Sequence, residues 1–310
     1  LHRHLPFHEP LHAPDGQAHV GQQFIDLVHG KRDDVGAARV FDTLLDEQTI
    51  LGLAIGLGHN GFVPIPEIQF LAYLHNAEDQ IRGEAATLSF FSNQQYRNPM
   101  VVRIAGLPYQ KGFGGHFHND NSLAVLTDIP GIIVAVPSCA ADAPAMLREC
   151  VRLAHEDGRV IIFVEPIALY HTTDLAEAGD GGWTANDVAP AEAKPIALGE
   201  LGVHGAGKDL AIVTYGNGYF LSRQAEPELR AKGIDLRIID LRWLHPLNEA
   251  GIVEAVSSAK KILVVDECRR AGSPDQPCCA AASGYLSRSG ISPDIPRASS
   301  MKNFLSQPER

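Results

Sequence analysis

Glu47, Tyr73 and the histidines His116 and His118 are the side chains of this chain whose types and surroundings suit proton transfer and the holding of a flat ring. An imidazole changes charge near neutral pH. A carboxylate can share a proton with a weakly basic ring nitrogen in a site closed to water. A phenol ring stacks on heterocycles. Glu67 and Gln69 come just before Tyr73, placed to support such a pocket. The histidines sit in Gly114-Gly115-His116-Phe117-His118-Asn119-Asp120, a glycine-opened loop delivered just before the apolar run Ile129 to Pro137. Loops at the ends of buried strands are where α/β enzymes keep their chemistry. Plainer readings stand beside these. Glu47 in a first helical turn also complements the helix dipole, Tyr73 also fits a core, and the two histidines also fit a structural pair. A His-x-His metal site needs a third convergent ligand, which the spacing does not supply, so no metal ligands are assigned.

Alternating short apolar runs and longer helical stretches must position these groups. Asp46 can cap a helix running through Leu57 that the glycines at 58 and 61 would end. Strands are expected over Val63 to Phe70, Val101 to Ala105, Ile132 to Val136 and Val160 to Val164, with helices over Glu78 to Phe90 and Ala141 to His155. Continuous apolar strands separated by helices imply a mostly parallel sheet covered on both faces. The stretch Thr172 to Ala193, rich in glycine, proline and acids, reads as a linker. A second set follows: strands at Leu210 to Thr214, Asp235 to Ile239 and Ile262 to Val265, helices at Tyr219 to Lys232 and Asn248 to Ser258. The expected organisation is an irregular arm over 1–38, bearing His2, His4, His8 and His12, then a first α/β domain with linker over 39–190 and a smaller one over 191–310.

A chain of 310 residues is long for one core and comfortable for two. Hydrophobic residues at 45% and charged residues at 20% exclude disordered and fibrous classes. A formal net charge of −11 disfavours partners that reward positive surface, so neither nucleic acid nor an anionic membrane is expected. No apolar run approaches the ~18 residues of a bilayer span, and no secretory pattern opens the chain, so a cytoplasmic location is the expectation. Cys139, Cys150, Cys268, Cys278 and Cys279 form no CxxC pair and are read as idle or buried thiols.

The segments Val40 to Glu47, Pro66 to Tyr73, Asp79-Gln80, Gly114 to Asp120, Ile212 to Gly218, Asp240 to Leu247 and Ile262 to Glu267, in this order, resemble the beta subunit of the decarboxylating component of 2-oxo acid dehydrogenase complexes. These are thiamine-diphosphate enzymes of the pyruvate and branched-chain type. The resemblance implies two doubly wound domains: a transketolase-like pyrimidine-binding domain and a smaller transketolase C-terminal-like one. It implies that Glu47 hydrogen-bonds the pyrimidine nitrogen, that Tyr73 stacks on the aminopyrimidine, and that His118, with His116 nearby, faces the reactive carbon. Leu45 and Gln69 complete the implied cofactor side. After the histidine the family has serine-glutamine where this chain has Asn119-Asp120, which leaves substrate identity open.

Gly179-Asp180-Gly181 lacks the asparagine expected about 30 residues later for a magnesium site and reads as a turn. Gly216-Asn217-Gly218 after a strand is too short to read as a phosphate loop. The resemblance therefore implies that an alpha subunit, or the alpha half of a fused chain, holds magnesium and diphosphate. It further implies beta-beta pairing and acyl transfer to lipoyl groups of the acyltransferase component. Two alternatives remain: a thiamine enzyme of transketolase or deoxyxylulose-phosphate synthase type, and a non-catalytic assembly subunit.

Overall fold

The computed structural model describes residues 39–107, 118, 120–186, 188 and 193–266, with the backbone of Gln17–Ala18 and Arg297–Ala298. The first sheet is built from β1 (Glu67–Ile68), β2 (Met100–Gly106), β3 (Ile132–Ala135) and β4 (Val160–Pro166). These four run parallel in the spatial order β3-β4-β2-β1, with Met100 and Ile132 both opposite Val160 and Glu67 opposite Arg103. Strands β2, β3 and β4 are almost wholly apolar, apart from the buried pair Arg103 and Glu165, because both their faces are covered. Helix α1 (Glu47–His59) lies on one face, where Leu51 and Ala54 join a core with Val102, Ile104, Ile162 and Val164. The long helix over Ala143–Asp157, α2, covers the other face with Val101, Ile133, Ile161 and Phe163.

The caps follow the chemistry of their residues. Asp46 accepts from the Thr49 backbone N–H and fixes the start of α1, as its position predicts. Pro144 fits the first turn of α2, and Gly158 ends it in the left-handed region at φ 67°.

Two expected elements differ. The strand over Val63 to Phe70 shrinks to β1, because Pro64 and Pro66 have no N–H to donate. Their carbonyls nonetheless accept from Val101 N at 3.1 Å and Arg103 N at 2.9 Å, so the segment still lines the sheet. The single helix over Glu78 to Phe90 is instead a short π-helix at Gln80–Ala85 followed by a separate turn of α-helix at Leu88–Phe91. Ala77, Ile81 and Ala85 are buried at a spacing of four, so one face of the segment stays on the core through the change of winding.

In the second sheet, β5 (Gly202–His204), β6 (Leu210–Thr214), β7 (Leu236–Asp240) and β9 (Lys261–Val265) take the spatial order β9-β6-β7-β5, parallel except for the antiparallel edge β5. Helices α3 (Gly216–Ala231) and α4 (Glu249–Val256) pack on it. Together the two sheets form the two-domain α/β fold with mostly parallel strands that the sequence implies.

The strand between β7 and β9, β8 (Trp243–His245), belongs to the other domain: it pairs antiparallel with β3, Trp243 opposite Ala135. Arg242, at φ 57°, makes the turn that crosses over, and its carbonyl accepts from Val136 N at 2.7 Å. The stretch expected as a linker is also folded where described. Asp180 accepts four backbone N–H bonds, from Leu175, Ala176, Glu177 and Gly182, and Trp183 buries against Tyr219 and Phe220. Gly179-Asp180-Gly181 is thus a turn held by its own aspartate. Gly218 packs against a strand: a side chain there would meet Thr214 Oγ1, which itself donates to Val265 O.

At this junction Ser138 donates to Asp240 Oδ1 at 2.8 Å and accepts from Gly216 N at 2.8 Å, while Arg242 pairs with Asp142 at 2.7 Å. The other oxygen of Asp240 is buried with no hydrogen-bond partner among the described residues. Burial pushes the Asp240 carboxyl up from 3.8 to about 7. The folded chain therefore binds a proton that the unfolded chain has released, and stability is lost as pH rises between those values. The slope reaches at most about 1.4 kcal/mol per pH unit. Asp240→Asn should abolish that share of the decline, seen as a smaller drop in thermal midpoint between pH 5 and pH 8 than in the wild type. Parallel declines in both proteins would remove Asp240 as the titrating group.

Candidate active site

The site is assembled by the residues that follow β1. Phe70 leads into one turn of helix, Leu71–Leu74, which runs straight into a 3₁₀ turn, His75–Ala77. Leu71, Leu74 and Ala77 are buried in the core, so the intervening side chains are presented on the opposite side. Tyr73 Oη lies 3.1 Å from His118 Nε2, and which of them donates depends on the imidazole tautomer. Phe70 meets His118 edge to face at 4.6 Å between ring centres, and Phe70 and Tyr73 stand at 81° to each other. One imidazole is thereby held by a phenol and a phenyl ring, all three half-buried.

Glu47 is the first residue of α1 and only 7% exposed. Asn76, on the 3₁₀ turn, points its amide at Glu47 Oε2 at 3.4 Å, and the Gln48 amide donates to the Asn76 carbonyl at 2.9 Å. The first turn of α1 is thus tied to the same short segment that carries Tyr73. Burial of a carboxylate is costly unless polar partners compensate. Here the helix N-terminus and one amide do so, a combination that also suits a group meant to meet a ring nitrogen.

Of the site residues expected from sequence, the structure brings Tyr73 and His118 into contact and reaches Glu47 through Asn76. His116 lies outside the described residues. Leu45 is 79% exposed before the helix, and Gln69 is exposed, so neither is packed into this cluster. The residues not anticipated are Phe70, His75 and Asn76. The aromatic at 70 is visible beside Tyr73 in the sequence, but nothing local marks an amide or imidazole whose partner is distant along the chain.

The same sheet carries a buried ionic network. Arg103 on β2 donates to Glu165 at 2.6 Å and Glu67 at 3.3 Å, and Tyr170 donates to the other Glu165 oxygen. Burial and the neighbouring Glu165 carboxylate hold the Tyr170 phenol well above its ordinary range. Glu67, a candidate support for the pocket by its place in the sequence, is engaged by Arg103. Of the five cysteines, Cys139 and Cys150 are described, both as free thiols pushed up by burial. Neither is poised as a nucleophile. Among the described residues no group of three or more His, Cys, Asp or Glu side chains converges as a metal site, and no helix is long and apolar enough to cross a membrane.

Residues 18–171 match the family model described as the transketolase pyrimidine binding domain, and residues 199–290 match the transketolase C-terminal domain. The chain is 33% identical over 244 residues to the pyruvate dehydrogenase E1 component subunit beta of Bacillus subtilis (strain 168), covering 78% of this chain and 69% of that protein. It is 32% identical over 245 residues to the 2-oxoisovalerate dehydrogenase subunit beta of the same organism, with coverages of 79% and 69%. Among solved structures it is similar in fold to a split gene transketolase described as an inactive beta4 tetramer. There the TM-score is 0.64 at 20% identity, covering 88% of this chain and 78% of that one.

Proposed function

We propose that this chain, which belongs to the beta-subunit family of the pyruvate and 2-oxoisovalerate dehydrogenase E1 components, supplies the pyrimidine-facing half of a thiamine diphosphate site. The observation that carries the reading is the juxtaposition of a buried carboxylate at a helix start with an aromatic pair and an imidazole, all reached from one turn of chain. That donor set fits an aminopyrimidine: one acid for a ring nitrogen, one ring for its face, one imidazole beyond it. When bound, thiamine diphosphate supplies the electron sink for decarboxylation of a 2-oxo acid.

The chain's own residues orient and move protons around it. A carboxylate oxygen of Glu47 would hold the pyrimidine nitrogen and share its proton, and Tyr73 would offer its face to the ring. His118, steadied by Tyr73 and Phe70, would offer a ring nitrogen to the substrate carboxylate. His116 lies on the same loop and belongs to the same reading, as do Leu45 and Gln69 on the cofactor side. The whole reaction is then oxidative decarboxylation with acyl transfer to a lipoyl group, in the cytoplasm. An alpha partner holds magnesium and the diphosphate, and two beta chains pair in the assembly.

Calorimetric titration of thiamine diphosphate and magnesium into this chain alone, and then into the chain mixed with its alpha partner, tests the division of labour. Tight binding is expected only in the mixture, and it should weaken when Tyr73→Ala removes the ring. A pure scaffold would leave the affinity of the alpha partner unchanged whether or not this chain is present. A transketolase-type enzyme would turn over sugar phosphates instead of pyruvate or branched-chain 2-oxo acids.

A further inference from the structure

Directly before Asn76 stands His75, whose Nε2 lies 3.1 Å from Asp120 Oδ2. A carboxylate can only accept, so the imidazole donates there. Asp120 is held from its other side as well: Oδ1 accepts the Ser122 backbone N–H at 3.1 Å and the Ser122 hydroxyl. His75 Nδ1 faces Glu78, 3.8 Å away on the same turn. Asp120 is only two residues beyond His118. The adjacent residues His75 and Asn76 therefore reach in two directions, one to the segment carrying His118 and the other to Glu47.

We propose that His75 and Asn76 form a positioning clasp that sets the His118 imidazole and the Glu47 carboxylate relative to each other, and that Asp120 is the latch of this clasp rather than a substrate contact. This rests on the reading of Glu47 and His118 given above. The two groups come from elements 71 residues apart in sequence, and one short segment, Tyr73 to Asn76, reaches both. A rigid intermediary is what holds such a pair in register, and misplacement by about 1 Å can cost 10²-fold in rate. Both oxygens of Asp120 are engaged, Oδ2 by His75 and Oδ1 by the Ser122 backbone and hydroxyl, which disposes it to hold the segment rather than to meet an incoming anion.

A double-mutant cycle in the assembled enzyme tests this, using His75→Phe, Asp120→Asn and the pair together, with Asn76→Ala measured alongside. Each single variant should lower kcat roughly 10-fold to 100-fold while the KM for the 2-oxo acid stays within a factor of about two. The double variant should fall no further than the worse single one. Independently of turnover, the ¹H–¹³C imidazole resonance of His118 in the wild type should be displaced in His75→Phe and in Asp120→Asn alike. Effects that multiply in the double variant, or a rise in KM alone on Asp120→Asn, would overturn the clasp. If the wild-type assembly neither binds thiamine diphosphate nor decarboxylates, the functional reading fails instead, and the displaced His118 resonance still reports on the clasp by itself.

Discussion

Glu47→Gln is expected to lower decarboxylation by the assembled enzyme roughly 10²-fold to 10⁴-fold, the range typical of a lost general acid or base. Glutamine keeps the length and shape of the side chain and still accepts from Asn76 through its carbonyl, so the first turn of α1 should stay where it is. What disappears is the exchangeable proton and the charge. Buried at 7% exposure with Leu51 and Ala54 packed along the same helix, position 47 has little room for water to substitute for the missing group. Steady-state turnover, with circular dichroism as the control for folding, gives the answer. Near-normal rates in a folded variant would remove Glu47 from the chemistry and leave it as an acid at a helix start.

Arg103→Met should destabilise the chain by about 3–5 kcal/mol, the usual consequence of leaving one member of a buried ion pair without its counter-charge. Arg103 and Glu165 are both nearly inaccessible, with side-chain exposures of 5% and 4%, so among the described residues the stranded Glu165 carboxylate would keep only the Tyr170 hydroxyl. The pair joins β2 to β4, and the weaker contact to the half-exposed Glu67 adds β1, the strand that leads into Phe70 and Tyr73. Chemical denaturation should show the loss. Replacing Glu165 by Leu in the same chain should restore much of it, since removing both charges costs far less than removing one. If Arg103→Met proved as stable as the wild type, water would have to be shielding Glu165 already.

Most of the architecture could be read from the chain because its signals are local. The cap at Asp46, the apolar runs at 132–135 and 210–214, and Gly158 closing a helix each act within a few residues. Departures come where the deciding partner is remote or where winding changes. Pro64 and Pro66 silence one side of a strand. Residues Gln80–Ala85 wind as a π turn inside a stretch whose spacing reads as α-helix. Trp243–His245 is three residues long, and its pairing with β3 lies more than a hundred residues back in sequence, beyond any periodicity. The same holds at the site. Residue type and the family resemblance point to Glu47, Tyr73 and His118, whereas His75 and Asn76 act through contacts 45 and 29 positions away.

The strand that crosses from the second half into the first sheet makes this polypeptide difficult to cut. A piece ending at residue 190 would lose Trp243 from the apolar layer above α2 and leave β3, apolar on every residue, as a bare edge able to recruit a neighbouring molecule. A piece beginning there would strand the same tryptophan in water. Each half thus finishes the other, and both are needed for the sheet beneath the His118 and Glu47 cluster to be fully edged.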